Sequence, residues 1–281
     1  MTARVLAAAL GALTLAACAE DTGALYRDHA RYLQLDGLLR AEAAPPDAPF
    51  TNADLVRNFE TIALNREYRR EGEALVQERT ASPISRWEQP VRYRIFGAGA
   101  TAADRNEYAE FAQRITALTG LEVQEVDDEA NVSILILDAE ERERLIADLK
   151  KDGTAERMPL VVQWAEELRY PCVGQVGFAD RATGRITGAL IAMKAELEGL
   201  FRQSCIHEEL TQALGLMNDD PTVRPSIFND DQEFALLTEH DEFLLRILYD
   251  RRIKPGMEAE ELRPILPAIV EELRPEEAPG S

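Results

Sequence analysis

Residues Cys205-Ile206-His207-Glu208-Glu209-Leu210-Thr211-Gln212-Ala213-Leu214-Gly215-Leu216-Met217-Asn218-Asp219-Asp220 combine side-chain types and spacings that could do chemistry. Ile206, Leu210, Ala213 and Leu214 form an apolar helical stripe, and Gly215 is a natural helix stop. Glu208 and Gln212, four apart, project from one helix face, while Glu209 is rotated from Glu208 by about 100°. Two ligating groups one turn apart can hold a cation, and a carboxylate beside them can deprotonate a water that the cation activates. Such a constellation would hydrolyse peptide or amide bonds.

Two alignments of that chemistry on the sequence compete. Beginning at His207 puts Thr211 at the second ligand position and Leu214 where a turn glycine is needed. Beginning at Glu208 gives E-E-x-x-Q-x-x-G-x-x-N: Glu209 is the candidate general base, Gly215 the turn, and Glu208, Gln212 and Asn218 the candidate ligand or binding residues. The second is preferred, because the glycine has a backbone role that leucine fills poorly. Zinc favours imidazole and thiolate, so this oxygen-rich set suits a harder divalent cation or none, and no metal site is assigned. His207 is a further candidate ligand from the neighbouring helix face; its alternative is a solvent-facing or capping residue. His240 is expected to be structural and His29 to lie outside the domain. Asn218-Asp219-Asp220 lacks the alternating oxygens of a calcium loop.

The elements that must position this segment read as α+β, a mixed β-sheet packed on helices. Leu55, Phe59, Ile62 and Leu64 predict a helix from Asn52 to about Arg66, capped by Thr51 or Asn52. A loop through Ser82-Pro83 follows, then an alternating strand, Val91 to Phe96, ending at Gly97. Helices are expected over Ala103–Leu118, before Gly120, and over Ala139–Asp152, after Asp138. Strands are expected over Leu121–Val126, Val132–Leu137, Val161–Trp164, Val173–Phe178 and Arg185–Met193. The turn residues Asp180 to Gly184 join the last two as an antiparallel hairpin. Beyond Met257 the Glu-rich tail reads as a solvated helix and a frayed end.

Downstream, Ser226-Ile227-Phe228-Asn229 resembles the Met-turn under the metal of metzincin peptidases, with Phe228 in place of the methionine. Thr238-Glu239-His240-Asp241 resembles the capped final helix of matrixin-like enzymes, and Thr238 with Asp241 makes a capping box. Taken with Cys205 to Asp219, Leu237 to Tyr249, Arg252 to Met257 and Arg86-Trp87, these segments resemble the bacterial domain-of-unknown-function family numbered 2927. The resemblance spans Asn52 to Leu273. It implies a lipoprotein with a zincin-like fold, a degenerate active-site helix and a small, mostly helical C-terminal half. The resemblance carries no established activity.

At the N-terminus, Arg4 precedes an apolar run from Val5 to Leu15, the pattern of a signal peptide over residues 1–17. Leu15-Ala16-Ala17-Cys18 resembles a lipobox, which implies lipidation of Cys18. Ala19 after it implies an outer-membrane lipoprotein facing the periplasm. Residues 18–51 are expected to be a lipidated tether with a short helix near Ala30 to Leu39, 52–273 the zincin-like domain and 274–281 a disordered tail. Cys172 and Cys205 are then expected to form a disulfide, with buried free thiols as the alternative. A formal charge of −20 disfavours nucleic acid and anionic lipid surfaces, so membrane contact is expected through the lipid alone. The functional expectation is an envelope lipoprotein acting as a binding module or pseudo-peptidase for a peptide, cell-wall fragment or partner. The alternative is an atypical metal-assisted or carboxylate-based hydrolase.

Overall fold

The computed structural model describes residues 22–71, 74–229 and 231–275. Its elements are α1 (Thr22–Leu35), α2 (Asn52–Ala63), β1 (Asn65–Glu71), β2 (Ala74–Ala81), β3 (Val91–Phe96), α3 (Ala102–Thr119), β4 (Val123–Glu125) and β5 (Val132–Leu137). Then follow α4 (Ala139–Lys151), α5 (Pro159–Glu166), β6 (Cys172–Phe178), β7 (Ile186–Lys194), α6 (Gly199–Ala213), α7 (Glu239–Leu248), α8 (Ala259–Leu262) and α9 (Leu266–Leu273). Local chemistry explains several boundaries. Reciprocal capping boxes start α2 (Thr51 with Asp54), α3 (Thr101 with Asp104), α4 (Asp138 with Glu141) and α7 (Thr238 with Asp241). Gly120, at φ 71°, closes α3 in the left-handed conformation.

Five strands form one sheet in the order β4-β3-β5-β7-β6. Neighbours are parallel except β6, which runs antiparallel to β7 and forms one edge. Strand alternation sends Val132, Ile134 and Ile136 of β5 and Ile191 and Met193 of β7 into the main core, which also holds Phe201, Ile206 and Leu210 of α6. Leu137 and Ala192 face the other way and meet Val161 and Trp164 of α5, flanked by Leu145 and Leu149 of α4. The fold is therefore a mixed sheet between helical layers, as the sequence pattern implies. Among the described residues no helix is long and apolar enough to cross a membrane.

The structure corrects four expectations. Val161 to Trp164 is helical: Pro159 starts α5 from its first turn, and Val161 and Trp164, three apart, are both fully buried. The helix expected to run to Arg66 ends at Ala63, and Asn65–Glu71 and Ala74–Ala81, where no strand was expected, pair antiparallel as β1 and β2. From Thr22 on, the supposed tether is folded onto the domain: Tyr26, Leu33, Leu39 and Ala48 are core residues. Tyr26 also donates its hydroxyl to the Leu168 carbonyl at 2.6 Å, and Arg40 bridges to Phe234. Past Met257, Leu262, Leu266, Ile269 and Val270 are buried, so the chain there belongs to the core. Cys18 and the signal peptide lie outside the described residues, as do residues 276–281 of the expected tail, whereas Arg274 donates to Asn52.

Candidate functional site

Helix α6 is fixed at both ends and along its length. Arg202 grips Asp104 (2.8 Å) and the carbonyls of Gly99, Ala195 and Leu197. The Cys172–Cys205 disulfide ties the helix to the start of β6, with the two Cα atoms 5.9 Å apart. At the C-terminus the carbonyls that a helix leaves unsatisfied are taken by side chains: Trp87 Nε1 donates to Ala213 O (2.8 Å) and the Tyr249 hydroxyl to Leu214 O (2.9 Å). Gly215 then turns the chain at φ 125°, where a Cβ would sit 1.9 Å from the Ser85 carbonyl oxygen. The glycine singled out in the sequence therefore has a steric reason to be glycine. Arg86, next to Trp87, donates to the carbonyls of Leu248, Asp250 and Ile253 at the end of α7.

A cavity of about 680 Å³ opens beside α6. Its lining includes Glu208, Glu209 and Gln212 of the helix, the run of β6 from Cys172 to Val176, Arg66-Glu67-Tyr68 of the hairpin, and Asp219. Lys194 N–H donates to Pro171 O, which fixes the alternation of ladder bonds between β6 and β7. By that alternation Cys172, Gly174 and Val176 present their backbone groups away from β7. Among the described residues no other strand pairs with this edge.

Glu209 lies under the edge strand. It is 5% exposed, and its Oε2 is buried without a hydrogen-bond partner among the described residues. Burial, and then the negative charges of Asp219 and Glu67, push its pKa well above the usual carboxylate range. A Cβ on Gly174 would stand 2.7 Å from Glu209 Oε2, so glycine leaves the room that this carboxyl occupies. Gly174→Ala is expected to displace the carboxyl and cost about 1 kcal/mol, the low end for overpacking because a side chain rather than backbone must yield. Urea denaturation measures this, and an unchanged midpoint would contradict the packing described.

The other sequence candidates divide. Glu208 and Gln212 line the cavity with Glu209. Asn218 does not: its amide donates to the Thr61 carbonyl at 3.1 Å and its Oδ1 is buried. Asp219 takes its place in the cavity, accepting from Gln212 Nε2 at 3.0 and 3.1 Å. His207 turns away from the cavity toward α3, stacking on Phe111 at a centroid distance of 4.0 Å. Its Nδ1 accepts from Leu237 N–H (3.1 Å), which leaves Nε2–H to donate to Glu107 (3.2 Å). Burial pushes its pKa down to about 4, so at neutral pH the ring is uncharged, with both nitrogens engaged. His240 is buried against Asn58, as a structural residue. In the segment Ser226 to Asn229, Asp241 accepts from Ser226 Oγ and Ile227 N–H, and Phe228 is fully buried.

Zinc would find a poor donor set here. Asn218 is committed elsewhere, Gln212 spends its amide on Asp219, and among the described residues no group of three or more His, Cys, Asp or Glu is placed to hold a metal ion. Asp219, Arg66, Glu67 and Tyr68 escaped the sequence reading. Asp219 had a signal in the polar run after Gly215, whereas the hairpin residues had none.

An antiparallel edge strand, a helix pinned to it by a disulfide, and a polar cleft between them define an α+β cleft domain. The chain belongs to the family described as Protein of unknown function (DUF2927), which matches residues 52–268. No curated protein matches the chain, and no solved structure does.

Proposed function

We propose that this domain is a peptide-binding module on a zincin-like scaffold, held in the cell envelope by a lipid on Cys18, with the outer membrane facing the periplasm as its place. The observation that carries the reading is the edge of β6, whose outward backbone groups form one wall of the cleft above α6. An extended segment satisfies such an edge by adding a strand, while side-chain pockets beside it choose the sequence. The disulfide supports an oxidising compartment, as export to the envelope requires. The replaced ligand positions support binding over turnover.

Acetylated and amidated hexapeptides of alternating Val and Thr test this. Saturating peptide is expected to slow hydrogen exchange at the Gly174 and Val176 amides by about tenfold or more, the effect of closing an edge hydrogen bond. Exchange that is unchanged at those amides across extended peptides, cell-wall stem peptides included, would remove the reading.

A hydrolytic second reading is favoured by one observation: Glu209, its Oε2 buried without a hydrogen-bond partner among the described residues, lines the same cavity as Asp219. Burial raises the Glu209 pKa, and a carboxyl made harder to ionise beside a second carboxyl is how acid and base roles divide in metal-free hydrolysis. Turnover of a quenched-fluorescent peptide library, absent in Glu209→Gln, would support it.

A further inference from the structure

The cleft is lined by charge of both signs. Glu209 feels Asp219 and Glu67, while Arg66 and Arg181 share a single aromatic ring. The Arg66 guanidinium carbon stands 5.0 Å from the Phe178 centroid and that of Arg181 5.7 Å. Neither arginine has a carboxylate partner among the described residues. Arg66 donates to Ser85 Oγ at 3.3 Å, and its Nε is buried with no acceptor.

Acidic residues outnumber basic ones in the chain, 51 to 31, and other arginines do find carboxylates. Arg40, Arg202, Arg224 and Arg252 are each held by carboxylates. Two guanidinium groups over one ring repel each other, and a buried N–H without an acceptor is costly, unless an anion arrives to take both. Burial and the neighbouring Arg181 also push the Arg66 pKa below its ordinary value, the mark of an uncompensated cation.

We propose that the Arg66–Phe178–Arg181 end of the cleft is a carboxylate subsite, in which the two arginines together receive an acidic side chain or the free C-terminus of the bound peptide. The proposal rests on the peptide-binding reading and names its ligand class. Planar carboxylate matches the guanidinium fork. Its single charge also suits a cleft with an acidic floor better than the double charge of phosphate.

The test uses the mature chain and three peptides built on an acetylated Val-Thr repeat. One carries an internal Asp and an amidated end, one Asn and an amidated end, and one Asn and a free C-terminus. At least one carboxylate peptide is expected to bind about tenfold tighter than the neutral one, as for a charge-assisted bidentate contact. Which one does so identifies the source of the carboxylate. Arg181→Gln changes an exposed residue, so the fold is kept and the preference is expected to vanish; Arg66→Gln should act in the same direction. Equal affinities, or a preference that survives Arg181→Gln, overturn the subsite.

If none of the three peptides binds, the peptide reading fails on its own, and glutarate then tests the subsite directly. A shift of the Arg66 Nε–H resonance with glutarate, lost in Arg181→Gln, supports it. No response to glutarate, or a response to inorganic phosphate alone, overturns it.

Discussion

Replacing both Cys172 and Cys205 by alanine is expected to lower stability by about 3–4 kcal/mol, the loop-closure value for a bond spanning 33 residues. For a domain of this size that is roughly a 10 °C fall in unfolding midpoint. The bond does more than shorten the unfolded chain. Cys205 lies inside α6 and is 2% exposed, while Cys172 begins the edge strand, so the bond sets how far β6 stands from the helix beneath it. With the bond gone, Glu209 loses the fixed roof that Gly174 provides, and any ligand on that edge loses a rigid wall. Calorimetry of the oxidised protein against the double variant checks the first claim, and exchange at the Gly174 amide checks the second. An unchanged midpoint would mean that core packing alone holds the strand.

How much of this was legible depended on whether the forces were local. β3 follows simple alternation, β5 is a short β-branched apolar run, and the starts of α2, α3, α4 and α7 are written in Thr or Asp three residues before an acidic partner, so pattern alone places them. α5 misleads because its 8 residues are rich in branched and aromatic side chains, and a buried helix that short reads like a strand. The strands β1 and β2 are mostly polar in sequence and leave no apolar alternation to find, and Arg66, Glu67 and Tyr68 of β1 line the cleft. The N-terminal segment has its anchors far away in sequence, Leu168 for Tyr26 of α1 and Phe234 for Arg40 beyond it, and only the tertiary fold makes those contacts.

In the site, spacing was reliable as long as the chain stayed helical. Glu208 and Gln212 share the cavity as residues four apart should, and His207, one step of about 100° before Glu208, lands against α3 instead. Past Gly215 the helical rule lapses. A turn at φ 125° sends Asn218 toward the Thr61 carbonyl and brings the next residue, Asp219, into the cleft. Sequence could name the polar run but not which member faces inward.

Glu209→Gln is expected to raise stability near pH 7 by about 1–3 kcal/mol, at the upper end of what single substitutions give and with the opposite sign to most. The direction follows from proton linkage. Unfolded, this carboxyl titrates at about 4.3. Folded, burial and the charges of Asp219 and Glu67 hold its pKa well above that. Between those two values the native state binds more protons than the unfolded state, so its contribution to stability is intact below about pH 4 and is lost as pH rises, levelling only above the folded pKa. Glutamine keeps the shape under Gly174 but cannot ionise, so that decline should disappear from the variant. Urea unfolding of both proteins at pH 4 and pH 7.5 gives the comparison: the gap should be small in acid and wide at neutral pH. Parallel pH profiles would show that the carboxyl is solvated and that the cleft is wetter at its floor than the packing implies. Because the variant is more stable, its ligand binding can be read without a folding artefact. Val-Thr peptides that bind it as they bind the wild type support a module, whereas a turnover lost with the carboxyl assigns the proton of Glu209 to catalysis.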